Sequence, residues 1–386
     1  MMEPFKNIYN DKFFAEFMQV LSVVIDDFNS DLFMEQVCDK NWQQRELKDR
    51  MKHICFILHH HLSSDFPQAV QIILKIVNLL KTAENDLRLE YMFLPDYIET
   101  YGLDDYKISM QALEQITKFT SCEFAIRPFI IKDSQKTMQQ MLLWSQNNNE
   151  SVRRLASEGC RPRLPWACSL PEFKKNPMLI LPILENLKAD KSLFVRKSIA
   201  NNLNDIAKDN PDIVINIIKK WQGINSDTNW LIKHAARTLL KKGDKEVMKI
   251  FGLEPSHKIK IDNFLIVNSK IKIGNYLEFS FNLYNQKSQK TKIRLEYVIY
   301  YQKANGTLTK KVYKISEKDY SKNSITKIIR RQSFKVISTR KFHQGLHKIA
   351  VIINGREYQK YDFILLTADE RDSKKLRHCE ADKKMM

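Results

Sequence analysis

The sequence predicts a mainly α-helical repeat domain followed by a smaller β-sandwich. Two changes along the 386 residues carry that expectation, one in hydrophobic period and one in charge. Up to about Leu253 apolar residues recur at intervals of three and four. Past Pro255 they alternate with polar ones. From Ser256 onward there are 29 of the 63 Lys+Arg but only 12 of the 45 Asp+Glu, leaving 34 and 33 before it, so the first part is near neutral and the last strongly basic.

The helical part, 1–254, is read from segments such as Glu46 to Leu62, where Leu47, Met51, Ile54, Leu58 and Leu62 line one face, and Val70 to Leu80. Val152-Arg153-Arg154, Val195-Arg196-Lys197 and Ile232-Lys233-His234 each open a helix with an apolar residue followed by basic ones. Their spacings, 43 and 37 residues, suit HEAT-like helical pairs, which stack into a solenoid with a concave binding face. The β part, 255–367, is read from two alternating runs. Ile271, Ile273, Leu277, Phe279, Phe281 and Leu283 form one, and Ile293, Leu295, Tyr297, Ile299 and Tyr301 the other, with Lys292, Arg294 and Glu296 on the opposite, polar face. Asn305-Gly306 and Asn354-Gly355 suit hairpin turns, because both residue types tolerate positive φ. About seven strands in this length predict an immunoglobulin-like sandwich. Residues 368–386 are charged, poor in apolar residues, and expected to form a loose tail.

Composition excludes several classes. The six cysteines show neither a CxxC pair nor zinc spacing, which points to a reducing cytosol. No apolar run approaches the ~18 residues of a membrane span, and the N-terminus has no signal-peptide pattern. Gly-rich phosphate loops and Ser-His-Asp spacing are missing. His59-His60-His61 looks metal-like, but adjacent histidines point around a helix in different directions, so neither a metal nor a cofactor is expected. The basic C-terminal third favours a polyanion, most simply nucleic acid.

The segment Ser157 to Trp166, SEGCRPRLPW, puts a carboxylate, two arginines and a tryptophan into a stretch that cannot be helical. Glu158 closes a helix, and Pro162 and Pro165 enforce an extended, rigid loop. Arg161 and Arg163 suit phosphate oxygens, and Trp166 offers a flat apolar face. In the helix with the apolar stripe Val195, Ile199, Leu203 and Ile206, the residues Ser198, Asn201 and Asn202 share the side of Asp205, a face expected to be exposed to ligand.

Together with Glu3-Pro4-Phe5-Lys6, Tyr101 to Asp105, Glu123 to Phe129 and Ser198 to Asp205, this loop resembles the AlkC family of DNA glycosylases, relatives of AlkD built on HEAT-like repeats. Some members of that family also carry an immunoglobulin-like domain. One departure is Cys160, where a small hydroxyl residue would be expected. The resemblance implies hydrolysis of the N-glycosidic bond of cationic alkylated bases, 3-methyladenine and 3-methylcytosine, in double-stranded DNA by a monomer of the bacterial cytosol, drawn to the nucleoid by damage. It further implies functional acids at Glu123, Glu158 and Asp205 and an aromatic partner at Trp166.

The residues read chemically agree with such a reaction. A carboxylate near C1′ would stabilise the developing sugar cation and orient a water. Arg161, Arg163, Arg196, Lys197, Lys233 and Arg237 are candidates to grip phosphates along the groove. His343 and His347, flanking Gly345, are candidates to enter a DNA groove. A non-catalytic binder of damaged or branched DNA remains an alternative on the same scaffold, as does a protein-interaction module.

Overall fold

The computed structural model describes residues 4–81, 87–337 and 340–367. The tail expected over 368–386 lies outside the described residues. The chain divides into two compact units, with the division between Ala236 and Arg237.

The first unit is helical throughout its described residues, from Asp11–Val24 to Ser226–Ala235. Six of its described helices start where the sequence supplies a side-chain acceptor for the first free amides. Asn10, Asn29, Asp65, Asp133, Asn149 and Asn225 each cap in this way. The expected amphipathic segments form as Leu47–His60, which buries Met51, Ile54 and Leu58, and Phe66–Leu80, which buries Val70, Ile73 and Val77.

The repeat read from sequence is also a repeat of hydrogen bonding. Val152 and Val195 are fully buried. The Arg153 guanidinium donates to the carbonyls of Asn147 and Asn148 at 3.0 and 2.8 Å, and Arg196 does the same to Asp190 and Lys191 at 2.8 and 2.9 Å. Each then pairs with an aspartate further along the chain, Arg153 with Asp190 at 2.6 Å and Arg196 with Asp227 at 3.1 Å. The basic residue of the motif therefore ties one helical pair to the next. For that reason Arg196 is not the phosphate contact expected of it: a guanidinium spent on two carbonyls and a carboxylate is part of the scaffold.

The second unit opens with helices Arg237–Lys242 and Lys245–Ile250, then, among the described residues, eight strands: β1 Ile259–Ile266, β2 Lys270–Lys272, β3 Tyr276–Asn285, β4 Thr291–Gln302, β5 Leu308–Tyr320, β6 Ser324–Ser333, β7 Gly345–Ile353 and β8 Arg356–Leu366. They form two sheets, β1-β3-β6 and β2-β8-β7-β4-β5, antiparallel except for the parallel pair β2–β8. The alternating residues of β3 and β4, from Leu277 to Leu283 and from Ile293 to Tyr301, meet in one core.

The opposite face of β4 departs from the expected polar surface. Arg294 and Glu296 are buried, because β4 lies inside the five-stranded sheet and its second face carries its own apolar cluster, Val298, Ala350 and Ile352. Arg294 survives burial by pairing with Glu296 at 2.5 Å and Glu317 at 2.8 Å. Asn354 and Gly355 both have positive φ, 46° and 78°, as a two-residue hairpin requires. A Cβ on Gly355 would lie 3.0 Å from Gly243 Cα, so the hairpin meets the preceding helices backbone to backbone. At Asn305-Gly306 only the glycine takes positive φ, 79°, because the loop is longer and closes through Gly306 N–H to Lys303 O at 3.0 Å.

Candidate active site

The Glu150–Glu158 helix carries the first acid at its last residue, and Gly159 turns the chain away from it. A side chain at Gly159 would collide with Ile126 Cγ2 at 2.5 Å, so the loop leaves pressed against the Ile126–Lys132 helix. Arg127 on that helix is wholly buried and donates to the carbonyls of Gly159 at 2.8 Å, Arg161 at 2.9 Å and Cys168 at 2.8 Å. A fork of donors buried among carbonyls holds the loop as a rigid body. Burial pushes the Arg127 pKa below its ordinary value, and the bonds to Cys168 oppose that shift. The loop itself is not extended as expected; it makes two successive turns, at Pro162–Arg163 and Pro165–Trp166.

Along this loop and the neighbouring Leu193–Ile206 helix, three carboxylates alternate with three cations. Arg154 lies 3.3 Å from Glu123 and 3.9 Å from Glu158. Arg161 lies 2.6 Å from Glu158 and 2.8 Å from Asp205, and Lys208 lies 2.9 Å from the other oxygen of Asp205. The structure thus brings Glu123, Glu158 and Asp205 together, but not as a patch of net negative charge. Burial works against the charge on Arg161, yet Glu158 and Asp205 outweigh it and raise the guanidinium pKa above its usual value.

Arg161 and Arg163 are therefore both paired with acids, and only the first is closed off from a phosphate. Arg161 is buried between two acids. Arg163 grips Asp209 with two bonds, at 3.0 and 2.7 Å, and its guanidinium holds the Asp209 carboxyl below the usual range. Asp205 and Asp209 are one helical turn apart, so the two arginines pin the loop to consecutive turns of chain. Burial between two acids removes Arg161 as a phosphate hand, whereas Arg163 stays exposed beside Asp209.

The polar face of the Leu193–Ile206 helix is also not open. Ser198, Asn202 and Asp205 are buried, Asp205 to 2 % exposure. This helix has packed neighbours on both sides, Glu150–Glu158 and Ser226–Ala235, so a repeat inside the stack has no bare flank. Its polar residues form a seam instead: Ser157 Oγ donates to Ser198 Oγ at 2.7 Å, and Asn202 Nδ2 to Ser157 O at 2.8 Å. Cys160 lies in the same seam, and burial pushes its thiol up to about 12, which makes it an inert packing residue.

Trp166 is the exposed member, 72 % accessible with φ of +66°. It is the third residue of a turn closed by Ala167 N–H to Leu164 O at 3.3 Å, with Pro165 second. That position favours glycine, and a tryptophan there costs about 1 to 2 kcal/mol of backbone strain. A large indole is thus held in a strained conformation and in solvent.

The other expected grips divide. Lys197 is exposed and Lys233 half-buried in the first unit. Arg237 begins the second unit. His343 is half-buried in the loop before β7 and lines a basic concavity with Tyr301, Lys310, Lys311, Arg340 and Lys341. His347 is a correction. It is fully buried and stacked on Phe363, with Nε2 facing the His343 carbonyl at 3.0 Å and Nδ1 accepting from Gln302 N–H at 3.3 Å. Both ring nitrogens are used inside the sandwich, and burial pushes its pKa down, so it cannot enter a groove.

The three adjacent histidines reach three different partners. His59 faces Tyr97 Oη at 3.1 Å, His60 its own helix at Phe56 O, and His61 faces Gln36 Oε1 at 2.9 Å. No helix among the described residues is long and apolar enough to cross a membrane. Sequence reasoning missed Arg127 as the loop's clamp and Arg154 and Lys208 as counter-ions. The signal for the last two was present, since Arg154 precedes Glu158 by four residues and Lys208 follows Asp205 by three, both helical-neighbour spacings.

Comparison with known proteins adds to this geometry. Residues 60–239 match the family model for DNA alkylation repair enzyme, and residues 260–367 that for the C-terminal Ig-like domain of the uncharacterised protein YhaZ. The chain is 41 % identical over 362 residues to YhaZ of Bacillus subtilis (strain 168), covering 94 % of this chain and 99 % of that one. It is similar in structure to the Pseudomonas fluorescens alkylpurine DNA glycosylase AlkC, solved bound to DNA containing an abasic site analog. There the TM-score is 0.88 at 35 % identity, over 94 % of this chain and 100 % of the other.

Proposed function

The chain belongs to the AlkC family of DNA alkylation repair glycosylases, and we propose that it hydrolyses the N-glycosidic bond of cationic alkylated bases, 3-methyladenine and 3-methylcytosine, in double-stranded DNA. The observation that carries this reading is the pairing, at the two ends of one clamped loop, of a buried acid network with an exposed, strained indole.

A base alkylated at N3 already carries positive charge. Cleavage sends the glycosidic electron pair to the base and neutralises it, so no general acid is needed. The sugar acquires cationic character at C1′, a water oxygen bonds there, and the water's proton leaves to a carboxylate. Asp205 is the acid suited to that place. One of its oxygens is fixed by Arg161; the other is held by Lys208, whose side chain is 39 % exposed. A DNA phosphate can compete for that ammonium and free the oxygen for a water. Glu158 and Glu123, with Arg154 between them, keep Arg161 oriented toward Asp205. Trp166 stacks on the deoxyribose or the cationic base, where a cation–π contact is worth about 1 to 2 kcal/mol.

Exposed Lys197 and the basic concavity of the second unit supply phosphate contacts, in keeping with the relative solved on DNA. The protein works as a monomer of the cytosol without a cofactor. The test is incubation with methylated duplex DNA, followed by chromatography for free 3-methyladenine and 3-methylcytosine. A second reading, a binder of damaged DNA, is favoured by one fact: every acid of the network has a cationic partner. Tight binding of methylated duplex with no free base would select it.

A further inference from the structure

We propose that Lys48, on the helix Leu47–His60, is a positioning residue for the Trp166 indole. A residue outside the stretch that matches the alkylation-repair family model would then set the aromatic wall of the site. The inference deepens the function proposed above, and only its kinetic test rests on that reading.

Two contacts meet at the Lys48 ammonium. It donates to the backbone carbonyl of Trp166, across 118 residues of sequence. It lies over the ring of Phe124 at 4.3 Å, next in sequence to Glu123. It also interacts electrostatically with Asp96 and Glu99 on the Phe93–Tyr101 helix.

Trp166 needs such an anchor. Its φ of +66° is a conformation that a tryptophan leaves readily when unrestrained, and its exposed ring has little packing to hold it. Arg127 clamps the loop on either side, at Gly159, Arg161 and Cys168, but none of its bonds reaches the turn that carries the indole. The Lys48 bond does. A charged donor on a carbonyl is stronger than a neutral one, and the Phe124 ring beneath it keeps that donor aimed. A lysine on the rim of a DNA site has a simpler expected role as a phosphate contact. Here its ammonium is turned to a carbonyl and a ring.

The experiment uses the full chain as wild type, Lys48→Met and Lys48→Arg, each with and without Trp166→Phe, together with Trp166→Ala and Lys48→Met/Trp166→Ala. Acrylamide quenching, taken as the difference from the matching Trp166→Phe protein, isolates Trp166 among the five tryptophans. The Lys48→Met variant is expected to change that quenching by about twofold and Lys48→Arg to leave it near wild type. Single-turnover base release is expected to slow about tenfold in Lys48→Met and to recover in Lys48→Arg. It should slow no further when Lys48→Met is added to Trp166→Ala, because both changes act through one side chain.

Three results overturn the proposal. One is unchanged Trp166 quenching in Lys48→Met. Another is independent, multiplying effects in the double variant. The third is a salt dependence of DNA binding that loses about one unit of slope, which would make Lys48 a phosphate contact. If the wild-type protein releases no base, the reading of its reaction fails, while quenching still decides the role of Lys48. Should Lys48→Met not fold, Lys48→Gln, which keeps a neutral donor, takes its place in the quenching test.

Discussion

The Nε of Arg161 donates to Oδ2 of Asp205 at 2.9 Å, joining residues 44 apart in sequence, while the same guanidinium holds Glu158 at 2.6 Å. This one buried cation makes the two acids a single unit, and the effects of substitution follow from it.

Replacing Asp205 by Asn keeps the shape and removes the charge nearest the proposed reaction. Single-turnover release of 3-methyladenine is expected to fall about a hundredfold. A rate within threefold of wild type would remove Asp205 from its role.

The two loop arginines should separate sharply in stability. Arg161→Met takes the nearest cation from two buried carboxylates, leaving Glu158 with Arg154 at 3.9 Å and Asp205 with Lys208 at 2.9 Å, and is expected to cost about 3 kcal/mol in urea denaturation. Arg163→Ala breaks a partly exposed pair with Asp209 and should cost less than about 1 kcal/mol. The Asp209 pKa is lowered in the fold, so whatever that pair contributes is present above the unfolded carboxylate pKa and is lost as pH falls through the lower folded value. The difference between wild type and Arg163→Ala should shrink toward acid pH.

Trp166→Gly tests strain and function in opposite directions. Glycine accepts φ of +66° freely, so the variant should be no less stable than wild type, and up to about 1 kcal/mol more. Base release should nonetheless slow about tenfold through loss of the stacking surface. A variant that loses stability as well would show the indole to be packed.

Asp96 predicts a pH signature. Burial, then the neighbouring Glu99, pushes its carboxyl up to about 7. Because the folded pKa lies above the unfolded one, the native state binds the extra proton. Stability should then fall as pH rises from about 4 to 7. Thermal midpoints measured over that range should show a flatter profile for Asp96→Asn than for wild type.

Lys310 and Lys311 line the basic concavity of the second unit. If both contact phosphate, replacing them with Ala should reduce the slope of log affinity against log salt by about two. An unchanged slope would move the DNA grip elsewhere.

Much of this was legible in the residues. The alternation of Leu277 to Leu283 and of Ile293 to Tyr301 specified one sandwich core, because a strand's faces repeat every second residue. The Val-Arg pattern at residues 152 and 195 marked the repeat, although the arginines proved to be its junction clamps. What misled was exposure. Polarity alone points Ser198, Asn202, Asp205, Arg294 and Glu296 outward, yet all are buried, Glu296 against Arg294 of its own strand and the others with partners from other elements.

The order of the two domains, the periods of their helices and strands, the breaks at Pro162 and Pro165, and the residue types able to do the chemistry are all written along the chain. Those are local properties, set by backbone sterics and by hydrophobic spacing within one element. The pairing of charges, by contrast, was set by folding. Arg161 chose Asp205, Arg163 chose Asp209 and Lys48 chose the carbonyl of Trp166, across 44, 46 and 118 residues. Charge has no period along a chain, and a guanidinium leaves water only where folding has already brought enough acceptors to replace it.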